Sequence, residues 1–574
     1  MAEHSAMLNA VVEALKLVGG ADGSASGAGR SMLRMLYERT LGDSEAAQDV
    51  LAFVSGATQG TLKSATGAGA TPKLSPPPNA TCASTGRPLD VRFFSWQLSY
   101  FSGKVRAYLR FKARGADRLV FDEVNASPAL VAQLLVPLTH TNVVPQLQLP
   151  DGSFVQDSSD IIEAVEARFP KDPVVPDPQL APRQRLVCKL LELFGDEWLI
   201  TAAFHWRWAY SGDGSAGQQL PAPPLATGAT GATGACARPN HRAYNELQWG
   251  DFIAPPDASP ARRRRAGAML IDNVLLSEHG ARGGLRALGV GSPAMAAAFE
   301  DAALHFLAAF EAHLAGGASF VLGHRPSLAD YGLCGPLYAH LYADPVPGFV
   351  MRTRFPLVAQ WCERLHDRGG QFFAQRRAIF DEESGELLDE PAVGGGAGHN
   401  GTGAWYADDH VPPSVVAMLR SFFDEMWPVM VSTMRVMAKY RGNASSPLPS
   451  KSFSPTTTDQ MGVGPLTHEF ELPDYTGAAR GAPGGALRGR RMVVPYHLYM
   501  LQGLCDNYLA PARAACGDGA LASFLRECGD PQGGDGRTPS LMELPELLSR
   551  CRVVKRGGKI YRAPAAAAAA RAKL

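Results

Sequence analysis

The chain has 574 residues, 46% of them hydrophobic, with 55 basic and 55 acidic side chains. That length accommodates several domains with ample cores, and the balanced charge excludes a global field drawing the protein to nucleic acid or anionic membrane. Nine cysteines are scattered without a Cys-x-x-Cys pair, which argues against zinc fingers, Fe–S ligation and dithiol redox chemistry.

Residues 1–88 read as a helical and low-complexity extension. Met7, Leu8, Val11, Val12, Leu15 and Val18 trace one short amphipathic helix, and Met32 to Phe53 a second. Ser55 to Pro78 is rich in Gly, Ala, Thr, Ser and Pro and reads as a linker. Glu3 and Glu13 depart from the Arg-rich, acid-poor pattern of a transit peptide. No secretory leader is read at the start either, so intracellular, reduced thiols are expected.

Residues 89–170 carry the densest signal. Asp90 to Trp96 reads as a strand, followed at once by a hydroxyl-rich turn and helix, Ser99-Tyr100-Phe101-Ser102-Gly103-Lys104-Val105-Arg106. A strand end facing a helix start is where exposed amides stabilise an anion. Hydroxyls at Ser99, Tyr100 and Ser102 are candidates to hydrogen-bond a thiolate, and Ser99 is also a good helix cap. Thr141-Asn142-Val143-Val144-Pro145 then leads into the alternating Gln146-Leu147-Gln148-Leu149 of another strand. Past the Asp151-Gly152 turn, Ile161, Ile162, Val165 and Phe169 recur at helical spacing. That places a helix start at Asp157-Ser158, where an anion is favoured and Asp157 is a natural cap.

This order of pieces resembles the thioredoxin-like, glutathione-binding domain of cytosolic glutathione transferases. It is closest to members whose first loop reads Ser-Pro-Tyr-Ser-x-Lys-Val-Arg, with Tyr100 standing where that pattern has Pro. The resemblance implies glutathione as co-substrate and no metal. Ser99 aligns with the residue that activates the thiol, with Tyr100 and then Ser102 as competing hydroxyls. It further implies a cis bond before Pro145, main-chain pairing of Val144 with the cysteinyl unit, and Asp157 with Ser158 on the γ-glutamyl amine and carboxylate. Lys104 and Arg106 either add positive field to the loop or face solvent.

Pro170 to Pro182 reads as a linker, and helix-period apolar patterns dominate beyond it. Residues 180–380 are expected to form the all-helical second domain of the same family. A surface insertion is expected at 211–240, where Gly-Ala-Thr repeats occur. Phe204, Trp206 and Trp208 serve either an electrophile pocket or helix packing, and Arg262 to Arg265 read as a solvated helix face. Leu322 to Tyr331 is a second match to the family, in which Ser327 and Asp330 form a capping box of structural importance. His340 and Tyr342 read as satisfied core or pocket-edge groups.

After the Gly-rich break at 394–403, residues 404–562 read as a helical extension, with a helix from Val415 interrupted near Pro428 and another after Pro495. His468, Glu469 and Glu471 read as a solvated loop rather than a metal site. No apolar stretch reaches the roughly 18–20 residues of a membrane span. The last three residues, Ala572-Lys573-Leu574, are similar to a peroxisomal address, leaving cytoplasm first and peroxisome second. The leading expectation is a transferase joining the glutathione thiolate to a hydrophobic electrophile, as a homodimer by family resemblance and with no nucleic-acid partner. The alternatives are a non-catalytic binding or scaffold protein on the same fold, and a glutathione-dependent isomerase or peroxidase.

Overall fold

The structure is a computed structural model that describes residues 72, 74–82, 86–114, 119–127, 130–212, 240–276, 281–366, 378–381, 383–384, 386–389, 404–440, 448, 466–475, 486–531, 538–556 and 559–563. The two helices expected before residue 54, the Gly-Ala-Thr repeats and the Ala-Lys-Leu end lie outside the described residues.

The first unit is a four-stranded mixed sheet in the order β2-β1-β3-β4. Its strands are β1 (Val91–Ser95), β2 (Phe121–Asn125), β3 (Gln146–Gln148) and β4 (Phe154–Gln156). β1 runs parallel to β2 and antiparallel to β3, and β3 is antiparallel to β4. Alternation along β1 sets its two faces. Val91 and Phe93 join Val105, Tyr108 and Leu109 of α1 (Tyr100–Lys112) and Ile161 and Val165 of α2 (Ser158–Arg168) in the main core. Phe94 packs on the opposite side with Ala126 and Leu135. This is the thioredoxin-like arrangement expected from the strand-helix order.

The second unit is helical. α3 (Pro182–Phe194) continues through a π turn at Gly195–Leu199 into α4 (Ile200–Ala209). α5 (Arg242–Ile253) and α6 (Pro260–Leu270) pair beside it. α7 (Pro293–Ala315) is the long central helix, capped by Ser292 and burying Phe299, Phe306 and Phe310. α8 (Leu328–Pro336) and α9 (Pro356–Leu365) complete the inner layer. The backbones of α3 and α8 touch. A Cβ on Gly332 would lie 2.4 Å from the Glu192 Cα, and one on Gly195 2.4 Å from the Gly332 carbonyl oxygen. Glycine is required at both places for that approach.

The capping box at Ser327 and Asp330 is formed as expected. Asp330 is fully buried, and its carboxylate accepts from the Val321 and Ser327 amides, the Ser327 hydroxyl and Trp361 Nε1 at 2.8–2.9 Å.

A short hairpin, β5 (Ala378–Asp381) and β6 (Glu386–Asp389), precedes the C-terminal extension. The extension holds α10 (Pro413–Ser421), a π turn, then α11 (Trp427–Lys439) with Pro428 in its first turn. Besides the expected helices it carries two hairpins. β7 (Thr467–Pro473) pairs with β8 (Ala486–Met492), and β9 (Val553–Arg556) with β10 (Lys559–Arg562), on either side of α12 (Tyr496–Leu504). His468, Glu469 and Glu471 therefore sit on a strand, not in a loop. His468, Phe470 and Leu472 turn inward while Glu471 bonds Arg488 across the ladder at 2.8 Å. No metal-ligating cluster occurs among the described residues. No helix among them is long and apolar enough to cross a membrane, and the eight described cysteines form no disulfide.

Candidate functional site

The sheet register brings the sequence-derived pieces to one end of the sheet. Phe94 of β1 faces Gln146 of β3, which in turn faces Gln156 of β4. The turn after β1, the Val144–Pro145 bond before β3 and the Asp157–Ser158 corner after β4 therefore adjoin the same end of the sheet. The bond before Pro145 is cis, and Gln146 Nε2 braces it by donating to the Val143 carbonyl at 2.9 Å.

The three loop hydroxyls are not equivalent. Ser99 caps α1, its Oγ accepting from the Ser102 amide at 3.2 Å, and it is only half-buried. Ser102 has no exposed surface, and its Oγ accepts from the Trp96 amide at 3.2 Å. Tyr100 is buried with its hydroxyl donating to the Gly195 carbonyl and its ring against Phe101 and His340. Burial, reinforced by Asp196 and Glu197, holds the Tyr100 hydroxyl well above the usual phenol range, so it stays protonated. Of the three, Tyr100 and Ser102 are buried and hydrogen-bonded within the fold. One ties the two units together and the other closes the turn. Ser99 is the hydroxyl left at the helix start with surface to offer.

Lys104 and Arg106 do not face solvent. Lys104 is fully buried, its Nζ 2.6 Å from both Glu192 and Asp196 of the helical unit and 3.2 Å from Ser159 Oγ. Arg106 lies 2.5 Å from Glu123 and braces Ser95. Arg207, embedded among the aromatics of α4, grips Asp344 at 2.8 and 3.0 Å and donates to the Leu98 carbonyl at 3.2 Å. It fixes the approach to the Ser99 turn from the helical side. Trp206 and Trp208 are buried core, whereas Trp96 of the turn packs against Phe252, tilted, at 4.1 Å and meets Trp249 edge-on at 4.9 Å. An aromatic wall from α5 thus stands beside the loop.

At the opposite corner Asp157 caps α2 with φ +96°, its Oδ1 accepting from the Ser159 amide at 3.0 Å. Burial raises its carboxyl above the usual range, with Lys555 pulling it back. Ser158 beside it is buried. Lys555 is a neighbour of this corner that sequence reading missed: its Nζ lies 3.3 Å from Asp157 and 2.8 Å from Asp160. No local signal marks it, since 398 residues separate it from Asp157. A cavity of about 520 Å³ borders this corner, lined by Leu138, Thr139, Phe154, Gln156 and Lys555. A second, of about 540 Å³, lies between α2, α3 and the extension, away from Ser99.

Residues 93–173 match the family model for the glutathione S-transferase N-terminal domain, and residues 291–368 the model for its C-terminal domain. Two stretches of the chain thus match the two domains of the glutathione S-transferase family. A comparison with curated proteins finds no match. Solved structures similar to it include a glutathione S-transferase from Rhodospirillum rubrum, at 15% identity and TM-score 0.27, covering 52% of this chain and 96% of that one. A beta-etherase from Sphingobium sp. is 16% identical with TM-score 0.30, covering 50% of this chain and 100% of that one. A Methylobacterium radiotolerans glutathione S-transferase, solved with glutathione sulfonate, is 21% identical with TM-score 0.25, covering 51% and 98%. The glutathione S-transferase domain matches span the sheet unit and the α7–α9 region. The helices from α3 to α6 and the whole extension lie outside both.

Proposed function

We propose that the protein is a glutathione transferase that joins the glutathione sulfur to a hydrophobic, aromatic electrophile. In this reading the Ser99 hydroxyl donates to the thiolate at the positive end of α1, favouring its ionised form at neutral pH. The Val144 main chain pairs with the cysteinyl unit, held by the Pro145 turn, and Asp157 with Ser158 receives the γ-glutamyl end. The aromatic wall of Trp96, Trp249 and Phe252 faces the electrophile. With an aryl halide, the sulfur forms a bond to the ring carbon, the carbon–halogen bond breaks, halide departs, and the thiol proton has already left to solvent. Rate comes from holding sulfur and carbon together and from stabilising the anionic sulfur.

The observation that carries this reading is the convergence of Ser99, Val144–Pro145 and Asp157–Ser158 at one end of the sheet through the β1-β3-β4 register. The test is glutathione conjugation to a chlorodinitrobenzene, followed by absorbance. Ser99→Ala is expected to lower kcat/KM by about 10²–10³-fold, the typical loss for one anion-stabilising donor, with glutathione binding retained. Tyr100→Phe is expected to keep activity within a few-fold while lowering stability by about 1 kcal/mol, the worth of one hydrogen bond. Full activity in Ser99→Ala, or collapse of activity confined to Tyr100→Phe, contradicts the assignment.

A further inference from the structure

The corner where a γ-glutamyl ammonium is expected already holds an ammonium of the chain's own. Asp157 Oδ1 is taken by the Ser159 amide, and its Oδ2 lies 3.3 Å from Lys555 Nζ. Asp160, one turn along α2, takes Lys555 at 2.8 Å and the Tyr499 hydroxyl at 3.2 Å. Both oxygens of Asp157 are therefore engaged, so an incoming cation finds no bare carboxylate. Lys555 comes from β9 of the extension, outside both matched domains.

Its backbone is firmly placed. Gln502 of α12 exchanges two hydrogen bonds with Val553 at 2.7 and 3.0 Å. Arg552 forks onto Asp506 at 2.9 and 3.0 Å. The ring of Tyr499 lies 5.0 Å beneath the ammonium. Only the four-carbon stem is free to rotate, and the ammonium at its end has the charge and three donors of an α-amino group. The adjoining cavity of about 520 Å³ gives it, or a ligand, room to move.

We propose that Lys555 is a tethered competitor for the γ-glutamyl ammonium, so that the extension sets the affinity and selectivity of the glutathione site. The proposal rests on the glutathione reading above. Glutathione displaces Lys555 from Asp157 in order to bind. A thiol tripeptide that lacks the amino group has no reason to displace it, and the wild-type protein discriminates only weakly between the two.

The test is titration calorimetry of the full chain with glutathione and with its desamino form, glutaryl-cysteinyl-glycine. Lys555→Met and Lys555→Gln are each expected to bind glutathione about tenfold more tightly, a change of about 1.4 kcal/mol. Lys555→Arg keeps the cation and is expected to match wild type. The desamino tripeptide is expected to bind all four proteins alike. If wild type binds glutathione and both neutral variants bind it equally or more weakly, Lys555 is no competitor, and the proposal falls while the glutathione reading stands. If none of the four binds glutathione, both fall together. Thermal unfolding of each variant verifies that a folded protein was titrated.

Discussion

At the scale of single residues, three hydroxyls in one loop look alike in sequence, and their neighbours set them apart. Ser99, Tyr100 and Ser102 occupy one short loop, yet only Ser99 keeps surface, because the Gly195 carbonyl claims Tyr100 and the Trp96 amide claims Ser102. Asp330 illustrates the opposite outcome, a polar residue whose role was legible locally. The Ser-x-x-Asp spacing and the apolar residues after it specify a capping box. The fold adds the Val321 amide and the Trp361 indole as further donors. Asp330→Ala leaves these donors buried and unmatched, so a loss of about 3 kcal/mol or more is expected. A shift of the urea midpoint too small for 1 kcal/mol contradicts it.

At the scale of elements, the contact between α3 and α8 controls how the sheet unit meets the helical unit. The Gly195–Gly332 approach lets Glu192 and Asp196 reach Lys104 on α1, forming a fully buried ion cluster. Sequence reading left Lys104 as a loop cation or a solvated side chain because its acidic partners lie 88 and 92 residues away. Buried ion pairs depend on good geometry to offset desolvation, so a small displacement of α3 is costly. Gly332→Ala places a methyl inside van der Waals contact of the Glu192 Cα and Cβ. It is expected to destabilise the protein by about 2–3 kcal/mol through overpacking. The check is the denaturant midpoint, with Gly503→Ala as control, since nothing lies within 4 Å of a Cβ built there. Equal midpoints for the two variants contradict the close approach.

At the scale of the whole molecule, the extension is integrated with the two domains. Glu425, on the π turn between α10 and α11, accepts from Trp198 Nε1 at 2.6 Å and the Tyr475 hydroxyl at 2.7 Å. His497 meets Glu197 at 2.9 Å, and Tyr499 and Lys555 meet the start of α2. Burial pushes the Glu425 carboxyl from 4.5 up to about 7. The folded chain therefore holds a proton that the unfolded chain has lost across that window. Its stabilising contribution is full below about 4.5 and declines as pH rises through about 7. Glu425→Gln stays neutral, so the variant is expected to gain on wild type progressively from pH 5 to 8. By the upper pH its unfolding free energy is expected to be higher by about 1–3 kcal/mol. Melting temperatures across that range provide the measurement, and a constant offset between the two proteins contradicts the titration of Glu425.

The sequence by itself determined the features that depend on local order. The strand-turn-helix of residues 91–112, the Pro145 strand entry, the Asp157 cap and the Ser327–Asp330 box are each specified within a few residues by periodicity, capping chemistry and turn propensity. The alternation of His468, Phe470 and Leu472 was equally local and marks a strand, although the flanking acids suggested a loop. Only the tertiary structure decided which loop hydroxyl keeps its surface, where Lys104 finds its carboxylates, and that Lys555 arrives at Asp157. Those outcomes depend on charges and carbonyls brought together from about 90 to nearly 400 residues apart. No local pattern encodes such a meeting, because burial and pairing are properties of packed surfaces rather than of neighbouring positions in the chain.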